Sequence, residues 1–155
     1  MLDIDDMSKK EMMNLLRQAG HGHLGCALDG QPYVVPIHYY FDEPAIYIFT
    51  TMGVKAKYMD VNPEVCLQVE EMQDLKHWRS ATVTGRAEQI TDESEIDRVM
   101  ELVKAQNPAL SLTVNHSWRD AWGRTEVMAL YRIYARELTG RTASGLSSEP
   151  SKASR

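Results

Sequence analysis

The residues best suited to chemistry lie in the stretch TTMGVKAKYMDVNP, residues 50–63. Thr50 and Thr51 end a strand-like run, Gly53 favours a tight turn, and a helix-like pattern follows with Lys55 in its first turn. Hydroxyls, backbone N–H groups and the positive end of a helix dipole would converge there, which favours an anion. The alternative is a solvated strand-to-helix connection whose lysines face water.

The elements before this stretch are predicted to be a helix and a three-stranded meander. Ser8 and Glu11 form a capping-box pattern that predicts a helix over 8–19. Asp29-Gly30 is a hairpin signal between two β-rich runs, and a second turn at 41–44 leads into the strand AIYIFT.

The elements after it are predicted from alternation and capping. They are a strand over 64–70, a strand over 77–90, a helix over 93–106 and a strand over 126–140. Gly85 marks a bend or bulge in the second of these strands. Asp92 with Glu95 suggests a second capping box at the start of the helix.

Six strands with tight antiparallel connections predict a mainly β fold, a small barrel with flanking helices. No βαβ rhythm and no GxGxxG motif is present, so a parallel dinucleotide-binding sheet is not expected. Residues 1–141 are expected to form a single domain. The serine-rich remainder, 142–155, is expected to be a disordered tail.

Charge and composition exclude several classes of partner. The 155-residue chain is 43% hydrophobic and 25% charged, with a formal net charge of −5. Nucleic-acid and anionic-membrane binders need a basic face, so neither function is expected. Any anion bound here must be held by a local pocket.

The expected location is the cytoplasm. The N-terminus MLDIDDMSKK lacks the cationic and apolar regions of a secretory signal, and no apolar run is long enough to span a bilayer. Cys26 and Cys66 lie in apolar, strand-like runs and are interpreted as buried, reduced thiols rather than a disulfide or redox pair.

The run PYVVPIHYYFDEPAIYIFTTMGVKAKYMDVNPEVCLQV, with the later runs WRSATVTGRAEQI and LYRIYARELTGR, resembles the pyridoxamine 5′-phosphate oxidase-like family of FMN-binding split barrels. The resemblance covers roughly residues 8–142 and is greatest to the branch that includes nitroimidazole-resistance proteins. Its most specific portion is the pattern G-x-K-x-x-x-M-x-x-N-P from Gly53 to Pro63. It implies a six-stranded antiparallel split β-barrel.

The resemblance also implies the residues of an FMN site. The FMN phosphate would be bound by Lys55 with the hydroxyls of Thr50 and Thr51, while Lys57 is a weaker candidate. The residues implied to lie near the isoalloxazine ring are Val35, Pro36 and His38 of one strand and Trp78, Arg79 and Ser80 of another.

A second implied cluster, NHSWRDAWGR at 115–124, would close over the flavin of the partner subunit in a homodimer with FMN at the interface. Trp118 and Trp122 could stack on the flavin ring or could instead anchor the core or the dimer interface.

The sequence departs from the family pattern at three positions. The basic C-terminal signature of the full oxidases is not clear after residue 136, which disfavours vitamin B6 oxidation. The nitroimidazole-resistance branch often has a histidine where this chain has Thr50, which disfavours nitro-drug reduction. The oxidases have a lysine at about the position of His38.

Other sites are less well supported. His21 and His23 would lie on one side of a strand, a spacing that suits two metal ligands, with His38 or His77 as a third. Ordinary polar residues at the start of a strand explain the pair, and no metal site is predicted.

The implied function is an FMN-dependent oxidoreductase that acts on an unidentified small molecule, with NAD(P)H as a candidate electron donor. No catalytic acid or base is assigned. The alternative is a flavin or haem carrier or sensor without turnover, with His23 or His38 as an axial haem ligand.

Overall fold

The computed structural model describes residues 2–51, 53–106 and 128–146. The elements are β1 (Leu2–Asp6), α1 (Lys9–Ala19), β2 (His21–Leu28), β3 (Gln31–His38), β4 (Tyr40–Asp42), β5 (Ala45–Thr51), α2 (Val54–Val61), β6 (Glu64–Asp74), β7 (His77–Ile90), α3 (Glu93–Gln106) and β8 (Met128–Leu146). None of the helices in these ranges is long and apolar enough to cross a membrane.

The strands form one antiparallel sheet in the order β3-β2-β6-β7-β8-β5-β4, with β1 paired to β8 off this path. The predicted fold class, a mainly β split barrel with flanking helices, is confirmed. Two details differ: the sheet has eight strands because β1 and β4 add to the predicted six, and no backbone pairing joins β3 to β4 or β5 in the described chain. The barrel is therefore open.

Strand β8 holds the two halves of the sheet together, because it pairs with β7, β5 and β1. It continues to Leu146, beyond the predicted domain end at Arg141. Thr142–Leu146 were expected to belong to a disordered tail, but they pair with β7 and β1 and bury Ala143 to 4% exposure. The rest of the predicted tail, 147–155, lies outside the described residues.

Turn and bulge chemistry explains the shape of the sheet. Asp29 and Gly30 join β2 to β3 with φ values of 50° and 76°, the left-handed conformations that a two-residue hairpin turn needs. The predicted bulge occurs between Thr84 and Gly85, where the register of β7 against β8 shifts. Both predictions are confirmed.

The apolar residues form two clusters on the two sides of the sheet formed by β5 and its neighbours. Helix α1 covers the larger cluster and α3 covers the smaller one. The side chains that α1 buries are Met12, Met13, Leu15 and Leu16, and those that α3 buries are Val99, Met100 and Val103. The Tyr39 hydroxyl donates to the Leu16 carbonyl at 2.6 Å, which fixes the end of α1 to the chain after β3.

The two cysteines lie on adjacent strands and are both free thiols. Cys26 is buried inside the barrel, as predicted, whereas Cys66 is only half-buried on the outer face. A Cβ atom at Gly25 would lie 2.7 Å from the Cys66 sulfur. The glycine thus leaves the space that this thiol occupies.

The first helix begins with the predicted capping box, in which the Ser8 hydroxyl accepts from the Glu11 N–H at 3.1 Å and Glu11 Oε1 accepts from the Ser8 N–H at 2.9 Å. We expect Ser8→Ala to lower the free energy of unfolding by about 1 kcal/mol, because one orphan N–H loses its acceptor. Urea denaturation would measure this. Ser8→Asp, which keeps an oxygen acceptor, should stay close to wild type, and equal stability of the alanine variant would show that the cap contributes nothing.

Candidate functional site

The turn between β5 and α2 presents backbone donors without a side-chain cap. Gly53 is the N-cap of α2 and has no side chain that could accept a hydrogen bond from the first helical turn. Its carbonyl accepts from the Lys57 N–H at 3.0 Å. The N–H groups of the first helical turn therefore have no partner within the helix. Side chains of Ser8 and Asp92 fill this role for α1 and α3. The start of α2 thus combines amide donors with the positive end of the helix dipole.

Lys55 and Lys57 differ in where they lie. Lys55 is half-buried and Lys57 is exposed. Burial raises the pKa of the Cys26 thiol and the neighbouring Cys66 raises it further, whereas the charge of Lys55 lowers it. Lys55 also shares a helix face with Tyr58, whose ring lies 5.4 Å from that of Tyr33. Lys55 is therefore the more buried of the two lysines, beside the face of α2 that packs on the barrel through Ala56 and Met59.

The two predicted threonines end β5. Thr50 is 4% exposed and lies on the same side of the strand as the buried residues Ile46 and Ile48. Thr51 pairs through its backbone with Met128 of β8. The structure thus brings both threonines to the end of β5 next to the α2 turn.

Strand β3 separates its predicted residues onto two faces. Val35 packs against the main core, whereas Pro36 and His38 lie on the outer face opposite His23 and His21 of β2. In the described chain β3 pairs only with β2, so its other edge is open to a ligand or a partner. A proline such as Pro36 is tolerated in this strand because an edge strand needs fewer backbone donors.

Strand β7 separates its predicted residues in the same way. The Ser80 hydroxyl lies on the outer face and accepts from Gln68 Nε2 at 3.0 Å, and Gln68 Oε1 lies 3.3 Å from His23 Nδ1. Arg79 points to the opposite face, where it donates to Glu71 at 3.0 Å and to Gln18 of α1 at 3.3 Å. Ser80 is therefore on the same face as His38, and Arg79 is not.

Trp78 contributes its carbonyl to the hydrogen bond from the Thr142 hydroxyl at 3.2 Å and is half-buried at the start of β7. Trp118 and Trp122 lie outside the described residues.

The histidines of the outer face form a row rather than a metal centre. The His21 ring lies 6.0 Å from that of His23 and 5.4 Å from that of His38. No group of three His, Cys, Asp or Glu side chains suited to a metal ion occurs in the part of the chain that the structure describes.

The predicted residues thus form two groups. Lys55 and the threonines lie at the α2 turn, near the inward-facing Tyr33, and His38 lies five residues further along β3 on the outer face, which is roughly 17 Å of strand. Only an elongated ligand that passes the open edge of β3 can reach both groups. A cavity of about 570 Å³ beside the end of α1 and one of about 500 Å³ on the outer face are lined by none of the predicted site residues.

Sequence reasoning missed the residues that hold α2 in place. Asp60 accepts from the Tyr131 hydroxyl at 2.8 Å, and the Asn62 side chain donates to the Ala27 carbonyl at 2.9 Å. From the sequence, Asn62-Pro63 was recognised only as the end of the family pattern that begins at Gly53. Tyr131 carried no signal beyond an apolar strand pattern.

Comparison with known proteins supplies the family. The family model described as pyridoxamine 5′-phosphate oxidase matches residues 8–142. The uncharacterized protein RA0666 of Rhizobium meliloti (strain 1021) is 36% identical over 84 residues, which are 54% of this chain and 56% of that protein. This chain therefore spans little more than half of that relative.

Solved structures agree on the fold. A FAD-binding protein from Mesorhizobium loti is 28% identical with a TM-score of 0.72, over 93% of this chain and 99% of that one. A candidate 5-nitroimidazole antibiotic resistance protein from Bacteroides thetaiotaomicron is 17% identical with a TM-score of 0.69, over 92% and 89% of the two chains. With a family match over almost all of the described residues, this chain belongs to the pyridoxamine 5′-phosphate oxidase family.

Proposed function

We propose that this protein binds FMN non-covalently and uses it for two-electron chemistry on a small molecule. The observation that carries the proposal is the α2 turn, where uncapped helix amides and the half-buried Lys55 lie together in a chain that matches the family over residues 8–142. These groups suit a phosphate dianion, because hydrogen bonds to a charged acceptor are stronger than hydrogen bonds between neutral groups.

Three of the remaining predicted residues, Pro36, His38 and Ser80, suit the rest of the ligand. FMN is elongated, with its phosphate on a chain that extends from the ring, so it can reach from Lys55 to the open edge of β3. Pro36 and His38 would then line the ring from β3, and Ser80 would contribute from β7. The bound flavin supplies the electron-transfer chemistry, and the protein supplies position, charge and exclusion of water.

FMN is proposed over FAD because the turn offers one concentrated anion site. The Mesorhizobium loti relative is described as FAD-binding, so the two cofactors must be separated by experiment. We expect the purified protein to show flavin absorption and to release a compound with the mass of FMN on denaturation. Released FAD would overturn the choice of FMN, an intense Soret band would indicate haem, and a colourless protein that takes up no FMN would contradict the proposal.

We also propose a homodimer with FMN shared between the subunits. Of the predicted ring residues, Pro36, His38 and Ser80 lie on an open face that ends at a free strand edge instead of in an enclosed cavity, and Val34 of the same face is 65% exposed. Light scattering should give about twice the chain mass of 17.6 kDa. A monomer that binds FMN with normal affinity would show that the partner subunit contributes nothing to the site.

Turnover is the last part of the proposal. NADPH or NADH should bleach the absorbance of the bound flavin under anaerobic conditions, and an acceptor should restore it. Stable binding of FMN without reduction by either nucleotide would favour a flavin carrier or sensor.

A further inference from the structure

Helix α2 is fixed to the barrel by side chains in its second half. Asp60 accepts a hydrogen bond from the hydroxyl of Tyr131 in β8 at 2.8 Å. Tyr58 packs its ring against that of Tyr33 in β3, with centroids 5.4 Å apart. The helix therefore contacts strands from both halves of the open barrel.

Asn62 fixes the end of the helix. Its N–H donates to the Tyr58 carbonyl at 2.8 Å, and its side-chain amide donates to the Ala27 carbonyl of β2 at 2.9 Å. Its Oδ1 accepts from the Glu64 N–H at 3.2 Å. One side chain thus ties α2 to β2 and to the start of β6.

The hydroxyl of Tyr131 has its partner in α2. Tyr131 is 1% exposed, and burial, followed by the bond to Asp60, raises its pKa. The hydroxyl therefore stays protonated at neutral pH and acts as a hydrogen-bond donor. Without α2 in its present position, a buried hydroxyl would lose its acceptor, which is costly.

Ala56 and Met59 hold the helix against the core, and the contacts of Asp60 and Asn62 help to set its direction. It has only eight residues, which is too short for independent stability in water. It is about 12 Å long, so a change in tilt at Asp60 or Asn62 moves the amides at its other end.

We infer that Tyr131, Asp60 and Asn62 are positioning residues that make the site selective for a phosphorylated flavin. The inference rests on the proposed function. Tyr131 and Asn62 lie away from the turn and act through α2, which aims Lys55 and the first-turn amides at the phosphate. Removal of these side-chain groups should therefore weaken binding of the phosphate and leave the contacts of the flavin ring unchanged.

The test compares FMN with riboflavin, which has the same ring and ribityl chain but no phosphate. Tyr131→Phe should weaken FMN binding roughly five- to tenfold and leave riboflavin binding unchanged, so that the affinity ratio falls. Asn62→Ala should act in the same direction. Hydrogen exchange of the α2 amides in ligand-free Tyr131→Phe should become faster.

Tyr39→Phe is the matched control. Tyr39 is also buried, at 2% exposure, and its hydroxyl donates to a backbone carbonyl at 2.6 Å, but at α1. Its removal should lower stability without changing the FMN-to-riboflavin ratio.

The outcomes separate the two proposals. If wild type prefers FMN but Tyr131→Phe keeps its ratio, or if Tyr39→Phe lowers the ratio equally, the positioning role is overturned and the FMN site remains. If wild type binds FMN no better than riboflavin, the phosphate site itself is wrong and the inference fails with it.

Discussion

Replacing Lys55 by alanine is expected to weaken FMN binding by about 1.5–3 kcal/mol, which is roughly 10- to 150-fold in Kd. The side chain is half-buried at the start of α2, so its ammonium group is partly removed from water and its attraction to a phosphate is less screened than at an exposed position. The uncapped amides of the same turn remain in the variant. For that reason we expect weaker binding rather than its complete loss.

Fluorescence titration of the flavin-free protein would measure the change. Lys57→Ala is the matched control, because Lys57 carries the same charge two residues away but is exposed. Its Kd should remain within about twofold of wild type, as expected for a screened surface charge. Equal losses in the two variants would show that only the general charge of the helix matters, and an unchanged Kd for Lys55→Ala would remove this residue from the site.

Gly85→Ala is expected to destabilise the protein by about 3 kcal/mol or more. A Cβ atom at position 85 would lie 2.2 Å from the backbone carbonyl oxygen of Tyr134 and 3.0 Å from the Ile133 side chain. The nearest obstacle is backbone, so relief requires that β7 and β8 separate at the bulge. Those two strands share the longest pairing of the sheet.

Urea denaturation would measure the loss as a change in midpoint at constant slope. Gly25→Ala is the control, because its Cβ would meet the Cys66 sulfur at 2.7 Å, which is a side chain. The double variant Gly25→Ala/Cys66→Ala should regain part of that loss, whereas no single side-chain truncation should rescue Gly85→Ala. If Gly85→Ala cost no more than Gly25→Ala, the close strand contact at the bulge would not be a constraint.

Local chemistry predicts the parts of this fold that depend on near neighbours. The capping box at Ser8, the turn at Asp29-Gly30 and the bulge at Gly85 follow from backbone conformation and hydrogen bonding over a few residues. The same is true of the α2 turn, whose Gly53 and Lys55 are only two positions apart in the chain.

Long-range pairing explains what was missed. Strand β1 has only five residues, LDIDD, and three of them are aspartates, which are unfavourable in strands; β8 supplies its partner. Residues 142–146 have the composition of a tail, and they too are part of a strand because distant residues of β7 and β1 pair with them. Strand β4 has three residues, too few for a period to be visible.

Side-chain direction limits prediction of the site in the same way. Strand alternation places Val35 on the face opposite Pro36 and His38, and Arg79 on the face opposite Ser80. The family motif identifies neighbours in the chain, but only the register of β2, β6 and β7 shows which of them share a surface.

The position of β8 has a consequence for synthesis of the protein. Translation proceeds from the N-terminus, so the ribosome makes β1, β5 and β7 before their common partner exists. The pairing of Leu2 with Leu146 spans nearly the whole described chain. Until β8 emerges, the nascent chain exposes strand edges that can pair with other chains. The sheet can therefore be completed only after β8 has been made, and conditions that delay synthesis of β8 should favour aggregation.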